Sequence, residues 1–289
     1  MSYNFLLIGG DMRIFLLAKK IANDENNVKI MGFEKIPISE IVNNNINVIQ
    51  TIEEAEENDI IISSIPLSID GENIYAPYSD KQIKLEILKG KKIIAGKIPE
   101  KLSGYDLLKN ESLTILNTIA TAEGAIAKSI EETDFNLASS NILVLGFGRV
   151  GKMLAYKLKQ MGANVYVEAR KQEDLAWIES YGYNAVDLKN VNKKLCKVDI
   201  IFNTIPKLIL DKSRLILIKK ETLIIDLASK PGGVDFKSAE KLGIKAILYG
   251  GIPGKISPGT TANYIKKYVY DLIKDEKYIE NIRHDNSTQ

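Results

Sequence analysis

The chain holds one cysteine, one histidine and almost no net charge, and each scarcity removes a class of function. A single thiol, Cys196, excludes an internal disulfide and a thiolate metal cluster, and it reads as a small residue packed near the surface. The lone histidine, His284, sits in a polar stretch from Arg283 to Gln289. Acid or base chemistry must therefore come from Asp, Glu, Lys, Tyr or a substrate group. A formal charge of +2 on 289 residues gives no reason to expect nucleic acid or a membrane surface as partner. Apolar runs are short. The first, Phe5 to Ile8, is far below the length of a signal peptide or a membrane span, so a cytoplasmic protein is expected. With 45% hydrophobic and 26% charged residues, the chain can build two ordinary domains, each with its own core.

What is present centres on residues 141 to 171. Ile142 to Leu145 reads as a buried parallel strand, followed at once by Gly146, Phe147, Gly148, Arg149, Val150 and Gly151. Lys152 to Gln160 then carries apolar residues at helical spacing, Gly162 stops the helix, and Val165 to Val167 begins a second strand. Strand, glycine turn, helix and strand in about thirty residues form the dinucleotide-binding unit. Gly146 allows the tight turn, Gly148 the approach of a pyrophosphate, and Gly151 the close packing of helix on strand, while the first helical amides face the anion. A glycine turn that binds nothing is the plainer alternative. The end of the second strand sharpens the reading: Ala169 stands where an acidic residue would hold the ribose 2′-hydroxyl of NAD, and two cations, Arg170 and Lys171, follow. A missing carboxylate beside two cations suits a 2′-phosphate, so NADP is expected rather than NAD. Glu168 dissents, but strand alternation points it the other way.

The first third repeats this pattern. With a constant offset of 137, Asn4 falls on Asn141, Gly9 on Gly146, Val28 on Val165 and Ile30 on Val167. Later, the run from Asp59 to Pro66 resembles that from Asp199 to Pro206. Two matches in the same order indicate two related α/β halves. Asp11 stands where Gly148 stands and Ile14 where Gly151 stands, so the first half is expected to keep the scaffold, lose the dinucleotide and hold the substrate. The expected fold is α/β, with two Rossmann-like parallel-sheet domains facing across a cleft. The substrate domain would take residues 1–120 and a returning C-terminal helix, 263–289. Residues 121–137 would form a connecting helix, and 138–262 the NADP-binding domain. Further strands are expected at Val48 to Gln50, Ile60 to Ser63, Lys92 to Ala95, Leu113 to Leu116, Ile200 to Phe202, Leu223 to Asp226 and Gly243 to Leu248. Helices are expected around Met12 to Ala22, Asp80 to Leu88, Glu100 to Leu108, Thr121 to Asp134 and Ala262 to Lys274.

Ligands of open parallel sheets lie outside the carboxyl ends of the strands. In the second half that selects, besides the glycine run and Arg170, Asn203, Thr204 and Pro206 near the ribose, and Ser229 and Lys230 near the nicotinamide. In the first half it selects Arg13 as a bidentate carboxylate fork, Ser64 and Thr118 as neutral hydrogen-bonding groups, and Lys97. Thr121 is a substrate contact or a helix cap, and Glu123 is an acid or base or else a residue suited to a first helical turn. The plainer reading makes each an ordinary surface or loop residue. The segment from Glu131 to Asp134 is a solvated helix end rather than a metal site.

Several of these stretches together resemble one family, the A subunits of dipicolinate synthase from endospore-forming bacteria. They are Gly9 to Arg13 with Gly32 and Phe33, Thr121 to Ile126, Val144 to Lys152, Ala169 with Arg170, Asp226 to Phe236 and Gly251 to Lys255. The resemblance implies oxidation of dihydrodipicolinate, a small dicarboxylate, to dipicolinate with NADP. It also implies the flavoprotein-like B subunit of dipicolinate synthase as partner and the mother cell of a sporulating bacterium as setting. Homo-oligomerisation stays open. A dicarboxylate suits a first half offering arginine, lysine and hydroxyls, and formation of an aromatic ring asks little of a base. Two alternatives remain: an NADP-dependent dehydrogenase of hydroxy-acid or shikimate type, and a non-catalytic NADP-binding subunit.

Overall fold

Strands form where β-branched and leucine residues run together between turn residues, and helices where apolar residues recur every third or fourth position. The computed structural model describes residues 2–41, 46–56, 59–229 and 231–274. His284 and Lys230 lie outside them.

In the first part of the chain come β1 (Asn4–Ile8), α1 (Met12–Ala22), β2 (Asn27–Met31), α2 (Ile38–Ile41), β3 (Ile46–Val48), β4 (Ile60–Ser63), β5 (Lys92–Ala95) and β6 (Ser103–Asp106). The six strands form one parallel sheet in the order β3-β2-β1-β4-β5-β6. After α3 (Glu111–Glu131) follow β7 (Asn141–Leu145), α4 (Arg149–Gln160), β8 (Asn164–Ala169), α5 (Gln172–Ser180), β9 (Asn184–Asp187), α6 (Asn192–Leu195), β10 (Ile200–Asn203), α7 (Lys212–Leu215), β11 (Leu223–Asp226), α8 (Phe236–Lys241), β12 (Ala246–Leu248), α9 (Ile252–Ile256) and α10 (Pro258–Lys274). Their strands make a second parallel sheet, β12-β11-β10-β7-β8-β9, with the same topology as the first. Even the register repeats: Asn4 pairs with Asn27 and Asn141 with Asn164. Both sheets reverse direction beside their first strand, which places a crevice at the carboxyl ends of β1 and β4, and again at those of β7 and β10.

Both faces of each sheet are buried at the centre, so the inner strands are largely apolar and successive side chains enter different cores. In the second sheet Ile142, Val144, Val165 and Val167 pack under α4 and α5, whereas Leu143, Leu145, Ile201 and Ile224 pack under the layer of α6, α7 and α8. In the first sheet Phe5, Leu7, Val28 and Ile30 face α1, and Leu6, Ile8, Ile61 and Ile93 face away from it.

Two compact units result, Met1–Leu116 with Ser257–Gln289, and Asn117–Ile256. Within the first, Ala262, Ile265, Val269 and Ile273 of α10 complete the core that α1 covers. Polar groups fix the rotation of this helix. Lys266 lies 2.8 Å from Asp24, the Tyr270 hydroxyl donates to Asp24 at 2.7 Å, and Asn26 donates to that hydroxyl at 3.0 Å. Lys266, followed by Tyr270, holds the Asp24 carboxyl below the usual carboxylate range against the effect of burial.

Some sequence expectations change. Leu113 to Leu116 is helical and belongs to α3, whose start is capped by the Asn110 carboxamide accepting the Leu113 N–H at 2.8 Å. A four-residue apolar run has no periodicity of its own to separate a strand from a buried helical turn. Asp80 to Leu88 contributes only a 3₁₀ turn, Leu85–Leu88, and Glu100 to Leu108 holds the edge strand β6 followed by another such turn. Gly104 permits that edge: at φ +154° its missing Cβ would collide with the Ile93 carbonyl. The third strand starts two residues earlier than expected, at Ile46, and the last is confined to Ala246–Leu248.

Candidate functional site

The end of β7 is built to leave backbone amides uncovered. Gly146 turns the chain at φ +95°, and its N–H is shared between the Glu168 carbonyl and the Glu168 carboxylate, each at 3.2 Å. A Cβ on Gly151 would run into the Gly146 carbonyl, so strand and helix meet there only because it is glycine. Thr204 braces the turn from the end of β10, its hydroxyl donating to the Leu145 carbonyl at 2.8 Å. Gly148 is the N-cap of α4 with no side-chain cap, and a Cβ built on it meets nothing within 4 Å. That open volume at a helix N-terminus fits a diphosphate, which would take up the amides that the chain leaves uncapped.

The equivalent position in the first sheet is closed. Asp11 caps α1 by accepting the Arg13 N–H at 3.0 Å. The Gly10 N–H donates to the Tyr75 carbonyl at 2.8 Å, and a Cβ on Gly9 would meet Ile74 and Ala76 at 3.0 Å. The chain thus covers its own first glycine turn with residues 74–76. Arg13 does not extend a free fork to a ligand, as the sequence reading expected. Its Nε reaches the two Asp11 oxygens at 2.9 and 3.1 Å, and its Nη2 reaches Asp11 at 2.8 Å and the Ile65 carbonyl at 2.5 Å. The pair is nearly neutral and Arg13 is 7% exposed, so the guanidinium is committed to the turn. Tyr75 and Tyr78, which the sequence reading missed, join this cluster; burial first, and Asp11 next, push the Tyr75 phenol up. They sit in a loop between β4 and β5 whose path has no periodic signal in the sequence.

The remaining candidates divide by unit. In the first, the buried Ser64 hydroxyl donates to the Leu67 carbonyl at 2.9 Å. Lys97 is exposed at the end of β5 with a left-handed φ of +56°, held by the Asp106 carboxylate accepting its N–H at 2.9 Å. Thr118, Thr121 and Glu123 belong to the second unit, on α3, and not to the unit of the residues they were grouped with. Thr118 is buried, and Thr121 donates back to the Asn117 carbonyl at 3.0 Å within the helix, which rules it out as a cap. Glu123 is not in a first helical turn, because α3 starts at Glu111; its carboxylate lies 2.9 Å from Lys157 of α4.

In the second unit the glycine run, Ala169 to Lys171, Asn203 to Pro206 and Ser229 all gather at the carboxyl ends of β7, β8, β10 and β11. Ala169 is buried, while Arg170, Lys171, Pro206 and Ser229 are exposed. Phe147 is tucked against Tyr181, with the Lys152 ammonium 5.1 Å from its ring centre; Arg149 and Val150 open α4. Asn203 is fully buried and donates to Asp226 at 2.8 Å and to the Ile205 carbonyl at 3.0 Å, so it shapes the loop and offers its amide to the chain. Asp226, also missed, accepts the Ala228 and Gly233 N–H groups at 3.1 and 2.7 Å and thereby fixes the loop that carries Ser229.

Glu168 is 1% exposed, and its Oε1 has no hydrogen-bond partner. Burial raises its carboxyl above the usual range, opposed by the Gly146 N–H and by Arg170 and Arg214. A raised native value means that the folded state binds more protons than the unfolded one across the window between the ordinary carboxylate value and the raised one. Stability therefore declines as pH rises through that window and levels off above it. Glu168→Gln keeps an acceptor for Gly146 but cannot ionise. Its thermal stability should match the parent in acid and exceed it above the window; curves that stay parallel from pH 4 to pH 9 would exclude an ionising Glu168.

A family profile described as the N-terminal domain of the dipicolinate synthase A subunit matches residues 4–118. A second, described as the NAD binding domain of D-isomer specific 2-hydroxyacid dehydrogenase, matches residues 117–231. The A subunit of dipicolinate synthase from Bacillus subtilis (strain 168) is 31% identical over 293 residues, spanning 93% of this chain and 97% of that protein. The chain belongs to the family of dipicolinate synthase A subunits. The crystal structure of the Bacillus halodurans member superposes with a TM-score of 0.85 at 29% identity, covering 94% of this chain and 98% of the other. A shikimate dehydrogenase (NADP(+)) from Pyrococcus abyssi is 24% identical over 190 residues, 63% of this chain and 67% of that protein. This dipicolinate synthase family member is a nicotinamide-nucleotide oxidoreductase with a Rossmann-like fold, and no described helix is long and apolar enough to cross a membrane.

Proposed function

We propose that the protein oxidises dihydrodipicolinate to dipicolinate with NADP, in concert with a flavoprotein-like second subunit, during spore formation. The observation that carries the cofactor half is the pairing of an uncapped Gly148 turn with a β8 end that has no outward carboxylate but an exposed Arg170 and Lys171. The α4 amides would hold the diphosphate and the two cations the 2′-phosphate. The bound nicotinamide supplies the hydride acceptor. Thr204, Pro206 and Ser229 would line the ribose and nicotinamide end, on loops that Asn203 and Asp226 keep in place. A dicarboxylate would meet Lys97, whose strained backbone the protein maintains at a strand end, while Arg13 stays committed to the turn that Asp11 closes. The reaction removes one hydride and releases one proton. Because the product ring is aromatic, alignment of the donor C–H does more than base strength, which accords with a site lacking histidine.

The test is purified protein, alone and with its partner subunit, given enzymatically generated dihydrodipicolinate and NADP. Reduced nicotinamide and dipicolinate should appear in equal amounts. Tight NADP binding with no reduction in either mixture would replace this reading with that of a non-catalytic subunit, and reduction with shikimate or a 2-hydroxy acid instead would replace the substrate.

A further inference from the structure

Charge is not spread evenly along this chain. Residues 188–220 contain eight lysines and one arginine against two aspartates, a surplus of seven in a protein whose total is +2. Both aspartates are engaged internally: Asp199 lies 2.9 Å from Lys219, and Asp211 caps α7 by accepting the Arg214 N–H and the Ser213 hydroxyl. Lys193, Lys197, Lys207, Lys212 and Lys220 are exposed, and none has an acidic partner among the described residues. The fold gathers them on one side of the second sheet, because α6 and α7 cover the same core. Arg214 ties the pieces together, its Nε donating to Asn192 of α6 at 3.3 Å and its Nη1 to the Ile209 carbonyl at 2.7 Å. Aliphatic side chains stand among the lysines: Leu208 is 62% exposed, Ile216 59% and Leu217 40%.

Exposed aliphatic side chains on a net-cationic face offer a protein partner both apolar contact and charge. Although Asp187 and Glu221 flank the run and Glu240 stands exposed on α8, the face keeps a net positive charge, so a second copy using it would set mainly lysine against lysine. Helices α6 and α7 are four residues each, too short to lie along a membrane as amphipathic elements. The aliphatic trio would gain nothing against the phosphates of a nucleic acid. We infer that the α6–α7 face of the second unit docks an acidic protein surface, namely that of the partner subunit of the synthase. The identity of that partner rests on the proposed function; the chemistry of the face does not.

The experiment uses the full chain and its purified partner subunit in equilibrium binding. The complex should weaken as salt rises. The variant K193E/K197E/K212E should bind at least tenfold more weakly, and I216S several-fold more weakly, with NADP affinity and melting temperature held close to the parent values. The variant K81E/K89E/K101E, with the same charge change on exposed lysines of the first unit, should bind as the parent does. Equal binding by all variants would overturn the inference. So would the absence of any complex, or attachment of this face to phosphatidylserine vesicles or duplex DNA in place of the partner. A charge-sensitive complex that yields no dipicolinate would leave the docking face standing and remove the proposed reaction.

Discussion

Gly148→Asp should abolish NADP binding while leaving the protein at least as stable as the parent. The first unit already contains the result of that change. Asp11 and Gly148 occupy equivalent positions, and their backbones are nearly superposable, with φ −86° and ψ −169° for Asp11, and φ −76° and ψ −170° for Gly148. An aspartate therefore needs no strained conformation there, and its Cβ enters open space. Its carboxylate would accept an opening amide of α4 as Asp11 does for α1, for a gain of a few tenths of a kcal/mol over glycine. The same carboxylate would stand where the diphosphate must come. Two like charges about 4 Å apart at an effective dielectric constant near 20 repel by about 4 kcal/mol, or about a thousandfold in affinity. Calorimetric titration with NADP and a thermal melt give the two readouts. Binding reduced by less than about tenfold would mean that the nucleotide does not lie over Gly148. The neighbouring Gly151 is a poor substitute for this test, since any Cβ there strikes the Gly146 carbonyl and damages the turn itself.

The contrast between these two glycine turns was largely legible in the sequence. Backbone-determined features repeat with the residues that cause them: the offset of 137 that places Asn4 on Asn141 also places β1 on β7 and reproduces the pairing of Asn4 with Asn27 as that of Asn141 with Asn164. The closing of the first glycine turn follows from Asp11, which caps α1, and Ile14, which crowds Gly10, for the same reason. What could not be read was the choice of side-chain partners. Arg13 at a helix start looks like an anion receptor until Asp11, two residues earlier, folds back onto it and a distant loop brings up Tyr75. Asn203 looks like a ligand contact until Asp226, from the next strand, takes its amide. Each of these outcomes depends on which of two strand ends lies nearer, and alternation along a strand cannot supply that. Leu113 to Leu116 failed for a different reason: the helix that contains it continues for fifteen further residues through Glu131, and its early turns mix threonine and asparagine with the apolar positions.

Arg170→Glu should reverse the choice between the two nicotinamide nucleotides. NADP and NAD differ only in the 2′-phosphate, so the preference equals whatever the protein offers that group and withholds from a hydroxyl. At the end of β8, Ala169 offers no carboxylate, whereas Arg170 and Lys171 project into solvent. A charge-assisted contact of this kind is worth about 1.5–3 kcal/mol, a preference of about 10- to 150-fold from Arg170 alone. Glutamate removes that contact and supplies an acceptor that a ribose hydroxyl can use and a phosphate cannot. The ratio of kcat/KM for NADP over NAD should fall by at least the same factor, with the NAD value unchanged or higher. Glu168 provides the control. Burial raises its carboxyl above the usual range, so any repulsion it exerts on a 2′-phosphate sets in as pH rises through that raised value; there the proposed NADP preference of the parent should shrink and that of Glu168→Gln should not. If Arg170→Glu left the ratio unchanged while both nucleotides still bound, the 2′-position would not lie at the end of β8, and the carboxylate missing from Ala169 would have no bearing on cofactor choice.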